Sequence, residues 1–191
     1  LPPGAKPALS AASFYGEVTG TFPITTLAQG KKKVARAQDP GTQQKINLSA
    51  TFADIEIEQA GNEGPPKTGP GPGTTPAKDT LTLSETWSAG LPVTIDAALG
   101  DVHVHGSDGD KVEVNATRVV WVDSPSKAAS AVDALAVKVQ KLADRIAVTS
   151  AAPAAAGGAS AFRIDLDVAV PRIAPVEVQA VQGLIALSDL A

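Results

Sequence analysis

The sequence predicts a mainly β fold made of stacked strand–corner–strand units, β-solenoid-like or β-sandwich-like, with one short helix near residues 125–135. Three observations predict it. One pattern recurs: P-V-T-I-D-A-A-L-G-D-V-H-V at 92–104 and P-V-E-V-Q-A-V-Q-G-L-I-A-L at 175–187, with a less complete copy from Ile46 to Ile57. Apolar residues alternate with polar ones through most of the chain, the signature of strands with one buried face. Finally, the 191 residues include only two Trp, one Tyr and four Phe, so the core has to be built from Val, Ile, Leu and Ala, which suits narrow β layers.

Aligning Pro92 with Pro175 pairs Val93 with Val176, Ile95 with Val178, Ala97 with Ala180, Gly100 with Gly183, Val102 with Ile185 and Val104 with Leu187. The upstream copy supplies Ile46, Leu48, Ala50, Ala53 in the glycine slot, Ile55 and Ile57. Val93, Ile95 and Ala97 share one parity, whereas Val102 and Val104 have the other. A straight strand would turn the second pair toward solvent. A corner at Gly100, the residue that takes positive φ at least cost, brings both arms back to one interior. The copies start at unequal intervals, unlike a solenoid of fixed period, and any two-sided sheet also produces this alternation.

The remaining elements follow in chain order. Residues 1–10 read as a Pro-rich stalk, and the absence of a starting Met at Leu1 suggests a removed leader or a fragment. Residues 13–28 and 44–59 read as strands of a small N-terminal β unit (1–60), joined by a basic stretch at Lys31, Lys32, Lys33 and Arg36. The Pro/Gly-rich residues 61–78 read as a linker or long loop, and residues 79–191 as a second β domain. Within that domain, G-S-D-G-D at 106–110 predicts a tight turn with Val112, Val114 and Ala116 as the returning arm of a hairpin. The run V-V-W-V at 119–122 is apolar on both faces and needs cover from both sides. The helix supplies that cover. Ser124 caps it, Pro125 opens it, and Ala128, Ala131, Val132 and Leu135 form its apolar stripe. Strand alternation returns at 137–139 and 146–148. After the Ala/Gly/Ser loop at 150–161, Phe162 to Val170 is the longest clean strand, ended by Pro171.

Residues 80–191 resemble the bacterial putative-adhesin family. The residues that carry the likeness are S-E-T-W at 84–87, L-P-V-T-I-D-A-A-L-G-D-V-H-V-H-G at 91–106, K-V-E-V at 111–114, F-R-I-D-L-D-V-A-V-P at 162–171 and P-V-E-V-Q-A-V-Q-G-L-I-A-L at 175–187. The resemblance implies a β-solenoid-like envelope protein with no enzymatic activity and a place outside the cytoplasm, in the periplasm or at the cell surface. In that family further glycine-cornered rungs follow the last motif, whereas this chain stops at Ala191.

Composition narrows function more than it defines it. A net charge of −4 with few aromatics argues against nucleic-acid binding. No apolar run reaches the ~18 residues of a spanning helix. With no Cys there is no disulfide, thiolate nucleophile or thiolate metal site. His103 and His105, with Asp101 beside them, have the residue types of a divalent-metal site. Alternating polar residues on a strand are ordinarily its solvated face, so the sequence assigns no metal and no cofactor. Asp165 and Asp167 with Arg163 could serve glycoside hydrolysis but read as another solvated face. Lys31–Lys33 reads as a hydrated loop, and Trp87 and Trp121 as core or edge anchors.

The last copy departs from the others. Leu184, Ala186 and Ser188 stand outward where the second copy has Asp and His, and Ile185, Leu187 and Leu190 make the segment apolar on both faces. At a chain end this predicts an unpaired edge, and Leu184, Ile185, Ala186, Leu187 and Leu190 are the expected partner-binding residues. The expected function is a non-catalytic extracytoplasmic structural or interaction module: adhesin-like, or an accessory subunit docked on another protein or a membrane complex. The alternative is a small-ligand binder, a metal binder or a hydrolase that uses the polar strand faces.

Overall fold

The computed structural model describes residues 8–13, 18–20, 25–29, 32–37, 45–50, 55–57, 75–122, 124–151 and 159–190, those before residue 76 by backbone alone. The fold is mainly β, two mixed sheets with one short helix among the described residues. The first six strands are β1 (Ala8–Ser13), β2 (Val18–Gly20), β3 (Thr25–Gln29), β4 (Lys32–Ala37), β5 (Lys45–Ala50) and β6 (Ile55–Ile57). Next come β7 (Thr75–Thr86), β8 (Val93–Leu99), β9 (Val102–Ser107) and β10 (Lys111–Val122). A 3-10 turn at Pro125–Lys127 leads into α1 (Ala128–Asp133). The chain closes with β11 (Ala136–Lys141), β12 (Ile146–Ala151), β13 (Ala159–Pro171), β14 (Val176–Gln182) and β15 (Ile185–Ser188).

One sheet has the order β11-β12-β8-β14-β5-β1-β4-β3 and the other β2-β6-β15-β9-β13-β10-β7. In the first, β12, β8, β14, β5 and β1 run parallel, and in the second β13, β9, β15, β6 and β2 do. The register is the one the repeat implies. Val176 lies beside Val93 on one side and Ile46 on the other, and Val178 lies between Ile95 and Leu48. Across the corner, Ile185 lies between Val102 and Ile55, and Leu187 between Val104 and Ile57. The last copy in sequence is thus the middle one in space. The strands of residues 1–60 continue the same two sheets as those of 79–191.

In the second and last copies both arms point into one core, as parity requires. Val93, Ile95, Ala97, Val102, Val104, Val176, Val178, Ala180, Ile185 and Leu187 are all buried. The corners repeat as well: Gly100 has φ +132° and Gly183 φ +134°. The Gly100 N–H donates to Gln182 O (3.0 Å), Val102 N to Leu184 O (2.7 Å) and Leu166 N to Asp101 O (2.8 Å). A Cβ on Gly100 would strike the carbonyl of Ile164, and one on Gly183 the carbonyl of Gly100. The corner of the upstream copy, at Ala53, lies outside the described residues.

Several expectations need correcting. Residues 106–110 do turn, but β9 and β10 do not form a hairpin: β13 lies between them, parallel to β9 and antiparallel to β10. β10 instead pairs along its full length with β7, which starts at Thr75 inside the segment read as linker. β1 occupies the end of the segment read as a stalk, and Lys32, Lys33 and Arg36 lie in β4, not in a connecting loop. β15 is not an edge, because β9 and β6 flank it. Residues 61–74 and 152–158, most of the two expected loops, lie outside the described residues.

The helix is where expected, with a different start. Ser124 makes no side-chain cap; its Oγ lies 2.9 Å from Ser126 Oγ, and the first turn is 3-10. Ala131, Val132 and Leu135 are buried, and α1 packs on β10 and β7. Arg118 on β10 donates through Nη1 to Leu135 O (3.0 Å) and pairs through Nη2 with Asp79 on β7, which ties the helix exit to both strands.

The corners generate a prediction for urea unfolding. Gly90 also has positive φ (+88°), but a Cβ there meets nothing within 4 Å. Gly90→Ala should cost about 1 kcal/mol from backbone strain alone, whereas Gly100→Ala and Gly183→Ala should each cost about 2–4 kcal/mol from strain plus a backbone clash.

Candidate functional site

Two clusters of interacting polar side chains lie on the outer face of the second sheet, where β13, β9 and β15 lie side by side. Alternation sets this face: Val102 and Val104 point inward, so Asp101, His103 and His105 point outward, and on β13 Ile164, Leu166 and Val168 turn Arg163, Asp165 and Asp167 the same way. The parallel register places Asp167 directly beside His103.

Two clusters result. At the corner, Arg163 donates through Nη2 to Asp101 Oδ2 (2.6 Å) and through Nε to Asp165 Oδ1 (2.5 Å). Asp165 Oδ1 also accepts from Asp101 N (3.0 Å), and Asp101 Oδ1 accepts from Leu184 N (3.1 Å). The guanidinium thus pairs with two carboxylates that in turn satisfy corner amides on both sides. Its work is structural, since it holds successive corners together.

The second cluster is of another kind. His105 Nδ1 lies 3.1 Å and His103 Nδ1 3.3 Å from the same oxygen, Asp167 Oδ1. The two rings stand 5.5 Å apart, tilted by 36°. His103 Nε2 lies 3.2 Å from Ser188 Oγ on β15. His103 and Asp167 are half exposed, and His105 somewhat less. The hydrogen bond with His103 holds the Asp167 carboxyl below its ordinary value of 3.8; partial burial works against this, and the charges of His105 and His103 add to the lowering.

No family model, curated protein or solved structure matches this chain.

The structure joins some of the sequence candidates and separates others. His103 and His105 do share a face, but their carboxylate is Asp167, not the neighbouring Asp101, which is committed to Arg163. Asp165 and Asp167, two apart on one strand, serve different partners: Asp165 binds Arg163, and Asp167 the histidines. Of the expected partner-binding residues, Ile185 and Leu187 are buried in the core, while Leu184, Ala186 and Leu190 are half buried. Trp87 packs against the core and donates from its indole nitrogen to Leu91 O (2.7 Å); Trp121 is half buried, beside Pro76 on β7. Sequence reasoning missed Ser188 and the Asp167–histidine link. Strict alternation in F-R-I-D-L-D identifies Asp167 as outward, but nothing local pairs β13 with β9.

Arg163→Gln should destabilise the fold by about 2 kcal/mol in chemical denaturation, because it leaves two partly buried carboxylates facing each other. A second expectation concerns pH. The folded pKa of Asp167 is depressed, so its contribution to stability is present above 3.8 and lost as pH falls from there through the lower folded value. The carboxyl carbon of Asp167 should titrate below 3.8 by NMR, and His103→Ala should move its midpoint up toward 3.8.

Proposed function

We propose that this chain is a non-catalytic structural and interaction module that works outside the cytoplasm. Its strand–corner–strand units stack into a stiff, β-solenoid-like spine. The observation that carries this reading is the shared register, in which Ile46, Val176 and Val93 line one row and Ile55, Ile185 and Val102 another. A stack of this kind spends its inward side chains on cohesion and leaves its outer faces free to vary, as scaffolds do. The extracytoplasmic placement rests on the resemblance of residues 80–191 to the putative-adhesin family.

The partner is another protein or a membrane-bound protein complex. Because β15 is paired along both edges, the contact is made by side chains and not by backbone pairing. Leu184 and Ala186, half buried on the last copy, supply apolar area where the second copy carries Asp101 and His103, and half-buried Leu190 follows them in the chain. No described helix is long and apolar enough to cross a membrane.

Native purification from the producing cell's membranes tests the proposal. The intact chain should co-migrate with a protein partner, and Ala186→Arg, a substitution at an outward position, should abolish that co-migration without changing the thermal melt. Isolation of the wild-type chain as a lone species would overturn the role, and unaltered co-migration of the variant would overturn the surface.

A further inference from the structure

We propose that His103, His105 and Asp167 form a surface site for one borderline divalent transition-metal ion of the zinc, copper or nickel class. The three side chains each offer one ligand atom, and those atoms all lie within 4.8 Å of one another. In a tetrahedral shell with bonds of about 2.1 Å, neighbouring ligand atoms stand about 3.4 Å apart. The two imidazole nitrogens lie 3.3 and 3.1 Å from Asp167 Oδ1, already close to that spacing. Little rearrangement separates the hydrogen-bonded cluster from a coordinated one: an ion takes the place of the bridging protons.

The strands preorganise this arrangement. His103 and His105 alternate onto one face of β9, and the parallel register with β13 puts Asp167 beside His103. The β15 strand contributes orientation. Ser188 Oγ lies 3.2 Å from His103 Nε2, on the far side of the ring from Asp167. Once an ion displaces the proton from Nδ1, the neutral ring carries its proton on Nε2, where the Ser188 hydroxyl can accept it, and such outer partners commonly tune metal affinity. Ser188 sits there only because β15 packs beside β9, with Ser188 next to His105 in register.

The ligand set decides the class of ion. Two imidazoles and one carboxylate suit zinc, copper or nickel, whereas calcium and magnesium favour all-oxygen shells of six or more ligands. Because His103 and Asp167 are half exposed, the remaining coordination positions open to solvent and can take water or a group from another molecule.

Titration of the full-length chain with zinc chloride at about pH 7.5, above the ordinary imidazole pKa of about 6.5, tests the site. Calorimetry should give one equivalent per chain, with no saturable response to calcium. The chain has only two histidines, so ring resonances report the site directly in the unmodified protein, and both should shift on zinc binding. Affinity should fall at least about tenfold in each of His103→Ala, His105→Ala and Asp167→Asn, and by a smaller factor in Ser188→Ala. Glu177→Gln, on the other sheet, should leave it unchanged. The proposal is overturned if zinc gives no saturable binding or shifts neither ring, or if a folded triple variant binds as tightly as the wild type.

Discussion

The close approach of backbone at the corners is the constraint on which the rest of the structure depends. Gly183 lies against the carbonyl of Gly100, and Gly100 against the carbonyl of Ile164, with no room for a Cβ at either. That contact sets the spacing between neighbouring units and turns each chain arm from one sheet into the other. With the corners in contact, the parallel ladders on both sides share one register, and the inward valines, isoleucines and leucines of the second and last copies lie side by side. Cohesion comes from apolar rows of small, stiff side chains, which explains how so few aromatic residues suffice.

The polar groups are organised around the same geometry. Arg163 sits where two corners meet and draws Asp101 and Asp165 together, while those carboxylates accept backbone amides of the turns. Arg172 acts similarly at the far end of the second arm: Nε donates to Asp108 Oδ1 (2.8 Å) and Nη1 to Asp189 O (2.6 Å), which secures the chain after β15. Arg118 joins the helix to β10 and β7. Three arginines therefore pin three places where the strand pattern alone would leave the chain free to splay. The His103–His105–Asp167 cluster stands apart from them. It lies on a half-exposed face, with both histidines close to one oxygen of Asp167.

Much of this was legible along the chain. Aligning Pro92 with Pro175 is the same operation as placing β14 beside β8, because identical inward patterns pack best at equal height. The proline carbonyls themselves take part: Pro175 O accepts from Val93 N (2.8 Å) and Pro92 O from Ile146 N (2.9 Å). The helix was readable from its apolar stripe, although packing on β10 and β7 replaced the expected Ser124 cap with a 3-10 turn. Where the local reading failed, the cause was a strand from a distant part of the chain. Residues 106–110 carry good turn chemistry, but β13 enters between the two arms. The segment 183–191 has the apolar faces of an edge, yet β6 closes it.

By itself the sequence determined the alternation, the parity switch at Gly100 and Gly183, and hence a strand–corner–strand unit with one buried interior. Those properties depend only on the period of a strand and the conformational freedom of glycine. Only the tertiary structure decided the order in which the copies pair, with the last copy between the other two. It also decided which outward residues become neighbours. The repeat specifies that copies fit one another but not which fits which, since the inward rows of all three are nearly equivalent. Asp167 meets His103 and His105, and Ser188 meets His103, because of that order, and it is there that the fold's most distinctive chemistry arises.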